Sequence, residues 1–251
     1  MAQVYYSYSP SIPLSERLIF QVKVSYSGDP IKAIADEIYG DLHHNHGNIE
    51  SLRHKAILTP LNESVHKINR EIMNRLPGNS RVYKSCDTIC KGSSTYGSDE
   101  ILYPPEYLNT LRFSGMPNHE LKLKEGVPIM LLCNLNPKKT YIPRITMSPA
   151  DKLVPFVLKR KQFPVAVCYA MTINKSQRQT VKSVGLYLPN PVFNHGQLYV
   201  AVSRVTSPLG LKIVCVDQDE ACTGYTKNIV YHEIDKWILY PLGSLLFGLN
   251  R

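Results

Sequence analysis

The 251 residues, 43% of them hydrophobic, can bury a core sufficient for one large or two small domains, which excludes disorder throughout. Lysine and arginine outnumber aspartate and glutamate by 29 to 20, and the formal charge of +9 suits polyanionic partners such as nucleic acid or acidic membrane, or serves plain solubility. The six cysteines form no C-x-x-C pair, so a reduced, intracellular protein is expected rather than a disulfide framework.

Residues 1–28 are rich in Ser, Tyr and Pro, lack a sustained period, and are expected to be an amino-terminal extension. No apolar run of signal-peptide type precedes the first charged residues, and Glu16 speaks against a transit peptide. Regular structure begins at Asp29, which can cap a helix. Pro30 suits its first turn, Ile31, Ile34 and Ile38 share one face, and Gly40 stops it. A short buried strand follows at Ala56-Ile57-Leu58-Thr59, ended by Pro60. Asn62 then caps a second amphipathic helix with Val65, Ile68, Ile72 and Leu76 at helical spacing before Pro77-Gly78.

Residues 81–124 are turn-rich and suggest no regular assignment. The continuous apolar run 127–132 predicts a strand covered on both faces. Beyond it the expected order is a strand over 165–169, a turn and helix from Thr172, a strand over 184–188, a helix over 195–204 and a strand over 211–216. Alternation of this kind implies a mainly parallel sheet with helices on both faces, because parallel strands need crossover connections. The last apolar tract, 237–249, is too short to span a bilayer and contains Pro241 and Gly243, so residues 235–251 are expected to be an apolar carboxy-terminal tail without a membrane span.

Two segments carry the chemistry, and both fall where an open α/β sheet presents ligands, beyond the carboxyl ends of strands. In Ala170-Met171-Thr172-Ile173-Asn174-Lys175-Ser176-Gln177-Arg178-Gln179-Thr180, hydroxyls, amides and a lysine crowd an expected helix start, which suits phosphate or forms an ordinary polar cap. In His195-Gly196-Gln197-Leu198-Tyr199-Val200-Ala201-Val202-Ser203-Arg204-Val205, the apolar residues place one helical face on the sheet and Arg204 ends the helix. An arginine there offsets the negative helix end, or serves as a planar fork for charge on a transferred phosphoryl group.

Together with Ala56-Ile57-Leu58-Thr59-Pro60-Leu61-Asn62, Leu121-Lys122-Leu123-Lys124 and Tyr187-Leu188-Pro189, these segments resemble the Pif-type DNA helicases, specifically the branch encoded by Helitron transposons. The resemblance runs from about Asp29 to Ile234. It implies an α/β, RecA-like second motor lobe of a superfamily-one helicase over residues 29–234. It also implies roles: Thr172, Asn174, Lys175 and Ser176 contact single-stranded DNA, Gln177, Gln179, Tyr199 and Ser203 couple it to the nucleotide, and Arg204 reaches the terminal phosphate. The implied activity is ATP-dependent 5'-to-3' DNA unwinding, with ATP and Mg²⁺ as cofactors of the complete enzyme and a nuclear location.

Three departures qualify that reading. Asn174 stands where other branches carry histidine, yet it can still donate to a phosphate oxygen. Arg178 stands where the motif has glycine, whose backbone freedom an arginine lacks. Only Pro137-Lys138-Lys139-Thr140-Tyr141 joins two runs that in the family flank an inserted barrel, so most of that barrel is expected to be deleted.

No substitute for a first lobe is legible. Gly92 to Gly97 and Gly243 to Gly248 have the glycine spacing of a phosphate loop, but Ser98-Asp99 and Leu249-Asn250 follow where Lys and Ser or Thr must stand. Val214-Cys215-Val216-Asp217 imitates an acidic strand end, and Asp41 with His43, His44 and His46 imitates a metal site without a second ligand set; no metal is expected. The chain alone is therefore expected to lack ATPase activity and to hold neither ATP nor Mg²⁺. A first lobe is expected either on another chain or in an upstream continuation of the same reading frame. The competing readings are a non-catalytic single-stranded DNA-binding module and an inactive transposon remnant.

Overall fold

The computed structural model describes residues 11–13, 29–42, 48–90, 103–134, 141–150, 154–216 and 225–227. In chain order the strands are β1 (Ser11–Pro13), β2 (Lys55–Thr59), β3 (Arg81–Lys84), β4 (Cys86–Ile89), β5 (Glu120–Leu123), β6 (Ile129–Leu131), β7 (Ile145–Met147), β8 (Leu158–Gln162), β9 (Val165–Val167), β10 (Ala170–Thr172), β11 (Ser183–Leu188), β12 (Leu211–Cys215) and β13 (Tyr225–Lys227). The helices are α1 (Pro30–Tyr39), α2 (Ile49–Arg53), α3 (Asn62–Arg75), α4 (Pro105–Thr110) and α5 (Gln197–Val202). Contacts divide the chain into one unit of residues 1–42, 50–72 and 169–251 and a second of residues 43–49 and 73–168.

The first unit is built on a parallel sheet of order β10-β2-β11-β12, which gives the α/β architecture expected from the alternating pattern. Its strands are near-continuous apolar runs, as a sheet covered on both faces requires: Ala56 to Thr59 and Val184 to Leu188 are all buried. Helix α1 forms as its sequence dictates. The Asp29 carboxylate accepts from the Ile31 N–H at 2.9 Å, Pro30 opens the first turn, and Ile34, Ala35 and Ile38 are buried. It can lie close to the sheet because Gly185 has no side chain: a Cβ there would stand 2.7 Å from Ile38 Cγ1 and 3.0 Å from Ile34 Cδ1. At the end of α1 the Tyr39 hydroxyl meets the carbonyls of Lys55 and Tyr169 at 3.1 and 3.0 Å, while its ring packs edge-on against Tyr169. Burial pushes the Tyr169 phenol up to about 12. Outside this sheet, β1 and β13 pair antiparallel.

Helix α3 carries Ile68 and Ile72 inward as expected, and a polar residue, Asn69, beside them. The Asn69 carboxamide accepts from Tyr169 N and Ala170 N, both at 2.9 Å, and donates to Ala170 O at 3.0 Å. A single side chain thus fixes the start of β10, the strand that leads into the candidate site.

The second unit is antiparallel throughout. Strand β3 pairs with β5, β8 lies between β4 and β7, and β6 pairs with β9. The turn-rich stretch 81–124, hard to assign from sequence alone, holds three strands and α4. The strand β8 alternates Leu158, Arg160 and Gln162 inward with Lys159 and Lys161 outward. Arg160 is fully buried, and every guanidinium N–H is used: Nε and Nη2 donate to the Asp87 carboxylate, Nη1 to the carbonyls of Leu111 and Pro117, and Nη2 also to Leu108 O. This ion pair ties β8 to β4 and to the chain around α4.

Three expected elements take a different form. The run 127–132 was expected to be covered on both faces, but β6 is one arm of a two-stranded ribbon, and Ile129 and Leu131 are 44% and 48% exposed. An apolar run shows that side chains are oily, and says nothing of how many layers meet them. The expected strand 165–169 forms β9, which pairs antiparallel with β6, and the strand that enters the parallel sheet is β10, just beyond the expected range. The helix expected from Thr172 is a single 3-10 turn, Ile173–Ser176, after which the backbone of Gln177 is already extended.

The division into two units separates 73–168 from a span expected to be one lobe, 29–234. The short link at 137–141 falls mainly on residues 135–140, outside the described residues, as do both glycine pairs, the histidine cluster, Asp217 and the apolar tail. Among the described residues no helix is long and apolar enough to cross a membrane, and Cys86, Cys90, Cys133, Cys168 and Cys215 form no disulfide.

Candidate functional site

The two segments singled out in the sequence meet at the carboxyl end of the parallel sheet. Thr172 ends β10 in register with Thr59 at the end of β2, and both are buried. The turn Ile173–Ser176 packs against α5. Its residues differ in character: Ile173 is wholly buried and anchors the turn, whereas Asn174 and Lys175 are exposed and project polar groups into solvent. Ser176 is 2% exposed, and its hydroxyl donates to Ile173 O at 2.7 Å, so it closes the turn. Gln177, Arg178 and Gln179 continue the exposed surface, with Gln179 N bonded to Ser176 O. A four-residue 3-10 turn has too short a ladder of aligned peptides for a helix dipole, so the phosphate-binding helix start expected from the sequence is not formed. What the turn offers is the ammonium of Lys175 and the amide of Asn174.

Arg178 has φ +66°, the left-handed region, and is the sole non-glycine residue with positive φ among the described residues. A side chain there costs about 1–2 kcal/mol against glycine. The strain sits where the family motif has glycine.

Helix α5 begins after Gly196, at φ +69°, and presents Tyr199, 64% exposed, opposite a buried face of Leu198 and Ala201. Gln197 is buried, its Oε1 accepting from Phe193 N at 3.1 Å while its Nε2 has no partner. At the other end Arg204 is half-buried and its guanidinium spans the two segments. Nε donates to Val200 O at 3.0 Å and closes the helix end, Nη2 donates to Ser203 Oγ at 2.8 Å, and Nη1 donates to Gln179 O at 3.1 Å. The backbone joins the same segments: Val181 N bonds Arg204 O at 3.0 Å, and Thr206 N bonds Val181 O at 3.3 Å. The structure therefore brings Gln179, Ser203 and Arg204 into direct contact, and holds Thr172, Asn174, Lys175, Ser176 and Gln177 on the adjoining turn.

For a nucleotide phosphate the chemistry present is a guanidinium with one N–H on each terminal nitrogen unspent among the described residues. Among the described residues no group of three or more His, Cys, Asp or Glu side chains converges. Sequence reasoning missed Asn69 and Arg160. A polar residue on the inner face of an amphipathic helix, and an arginine at an inward strand position, were the signals available.

Comparison with known proteins bears on this arrangement. A family model for the 2B domain of DNA helicase Pif1 matches residues 106–140. The ATP-dependent DNA helicase Pif1 of Campylobacter jejuni is 37% identical over 79 residues, 32% of this chain and 17% of its own length. That of Xenopus laevis is 24% identical over 203 residues, 69% of this chain and 29% of its own length. The chain is similar to Pif1 helicases. The crystal structure of Pif1 helicase from Candida albicans superposes with a TM-score of 0.52 at 19% identity, covering 80% of this chain and 56% of that one, which shows a shared fold. The matches span less than a third of these curated Pif1 relatives, and the 2B-domain match lies within the antiparallel second unit.

Proposed function

We propose that the chain supplies the carboxy-terminal motor lobe of a Pif1-type, ATP-dependent 5'-to-3' DNA helicase of the Helitron-encoded branch. In this reading the turn carrying Thr172, Asn174, Lys175 and Ser176 contacts single-stranded DNA. Gln177, Gln179, Tyr199 and Ser203 couple DNA to nucleotide, and Arg204 meets the terminal phosphate of an ATP held with Mg²⁺ by a first motor lobe. ATP would supply the free energy of unwinding. The observation that carries the reading is the bond from Arg204 to Gln179 O, which joins the expected phosphate contact directly to a residue expected to couple DNA to nucleotide. Names of the relatives, ATP-dependent DNA helicases, support the same class of partner. A nuclear location belongs to this proposal.

A second reading, a non-catalytic module for single-stranded DNA, draws on the engagement of all three guanidinium nitrogens of Arg204 within the chain and on the strained Arg178. Both readings place DNA on the Lys175 surface. Binding of a labelled oligothymidylate is expected to weaken with salt and to weaken further in Lys175→Glu. Removing one phosphate-bound lysine should make the log–log salt slope shallower by about 0.7, because one fewer counterion site on the single strand is displaced. Equal affinity in the variant and the parent across salt would remove the DNA-surface assignment.

A further inference from the structure

The three-stranded sheet of the second unit has one face turned to the buried Asp87–Arg160 pair and one turned to solvent. On the solvent face Lys159 and Lys161 are both exposed, as are their cross-strand neighbours: Lys161 lies between Cys86 and Thr146, and Lys159 lies beside Thr88. None of these neighbours carries a carboxylate. Elsewhere in the same unit the usual compensation is made, for Lys84 faces Glu120 across β3 and β5 with its ammonium 3.8 Å from the carboxylate. Lysine on an outer strand guards a sheet against edge pairing, but β8 is the central strand, so that role does not account for its two lysines. Two residues along a strand place the pair about 7 Å apart on one side, a spacing that suits successive phosphates of an extended strand.

We propose that this solvent face, with Lys159 and Lys161 flanked by the hydroxyls of Thr88 and Thr146, is a second contact for the phosphodiester backbone of single-stranded nucleic acid, separate from the Lys175 turn. It reads no bases, since ammonium and hydroxyl groups on a flat sheet meet phosphate oxygens and no aromatic side chain stands among them. An acidic peptide is the less suitable occupant. Paired strands of alternating hydroxyl and ammonium donors match closely spaced oxyanions better than carboxylates borne on mobile side chains.

The test is equilibrium binding of a fluorescein-labelled oligothymidylate to the full chain over a range of salt, for the parent, Lys159→Glu/Lys161→Glu, Lys159→Gln/Lys161→Gln and Lys175→Glu. Thermal unfolding of each variant shows that the fold persists, as is expected for exposed positions. Removing both ammonium groups in the glutamate pair is expected to weaken binding by at least tenfold at low salt and to make the salt slope shallower by about 1.4. The glutamine pair should show an intermediate fall in affinity. Parental affinity and slope in both double variants overturn the proposal, as does displacement of the oligonucleotide by polyglutamate at equal charge concentration. The Lys175→Glu arm reports on the other site: its failure with success of the double variants removes the DNA role of the turn and leaves the sheet face standing.

Discussion

At the scale of single residues, Arg178 sets the clearest conflict between sequence and geometry. Its backbone adopts the left-handed conformation that a glycine in the family motif would take freely, so the chain keeps the turn and bears the strain. Replacing Arg178 by glycine removes about 1–2 kcal/mol of strain and adds about 0.4–1 kcal/mol of unfolded-state entropy to overcome. The variant should therefore be more stable by about 0.5–1 kcal/mol, read as a higher urea midpoint at unchanged slope. A lower midpoint would mean that the arginine side chain makes interactions worth more than the strain. Position 178 was legible in advance because a motif glycine had been replaced. Asn69 was not, since one polar residue among the inward positions of α3 does not say which backbone groups it will meet, and its partners lie about a hundred residues away in the chain.

At the scale of elements, strand β8 shows what holds the second unit together. Arg160 and Asp87 are wholly buried, and the guanidinium bonds three carbonyls besides the carboxylate. Breaking such a pair from one side strands a buried charge, so Arg160→Met and Asp87→Asn should each cost about 3–5 kcal/mol. Unfolding of the single variants and of the double variant measures this. If each single variant cost under about 1 kcal/mol, the pair would not be the tie described. Helix α1, β2, α3, β11, α5 and β12 were legible from capping residues, helical spacing and apolar runs, within a residue or two at most ends. The turn after β10 and the ribbon β6–β9 were not. Their form depends on which strand lies beside which, and local pattern does not encode that β2 lies between β10 and β11.

At the scale of the whole molecule, the parallel sheet was legible in the alternation of strands and helices, and the candidate site in the two motifs that meet at its carboxyl end. The division into two units was not, because the second unit is made of short antiparallel strands whose partners lie far apart in sequence, such as β4 with β8. In the proposed function these residues provide an arginine and DNA contacts to a nucleotide site completed by another lobe. The measurement that tests it most directly is ATP hydrolysis with single-stranded DNA, by a polypeptide of these 251 residues alone and with a Pif1-type first lobe supplied separately, comparing the parent with Arg204→Ala. No turnover above a no-enzyme blank is expected for the polypeptide alone, and DNA-stimulated turnover with the added lobe is expected to fall by about 10³ or more in Arg204→Ala, the usual contribution of such an arginine. Turnover by the polypeptide alone that disappears in Arg204→Ala, or lobe-dependent turnover that survives it, would contradict the account.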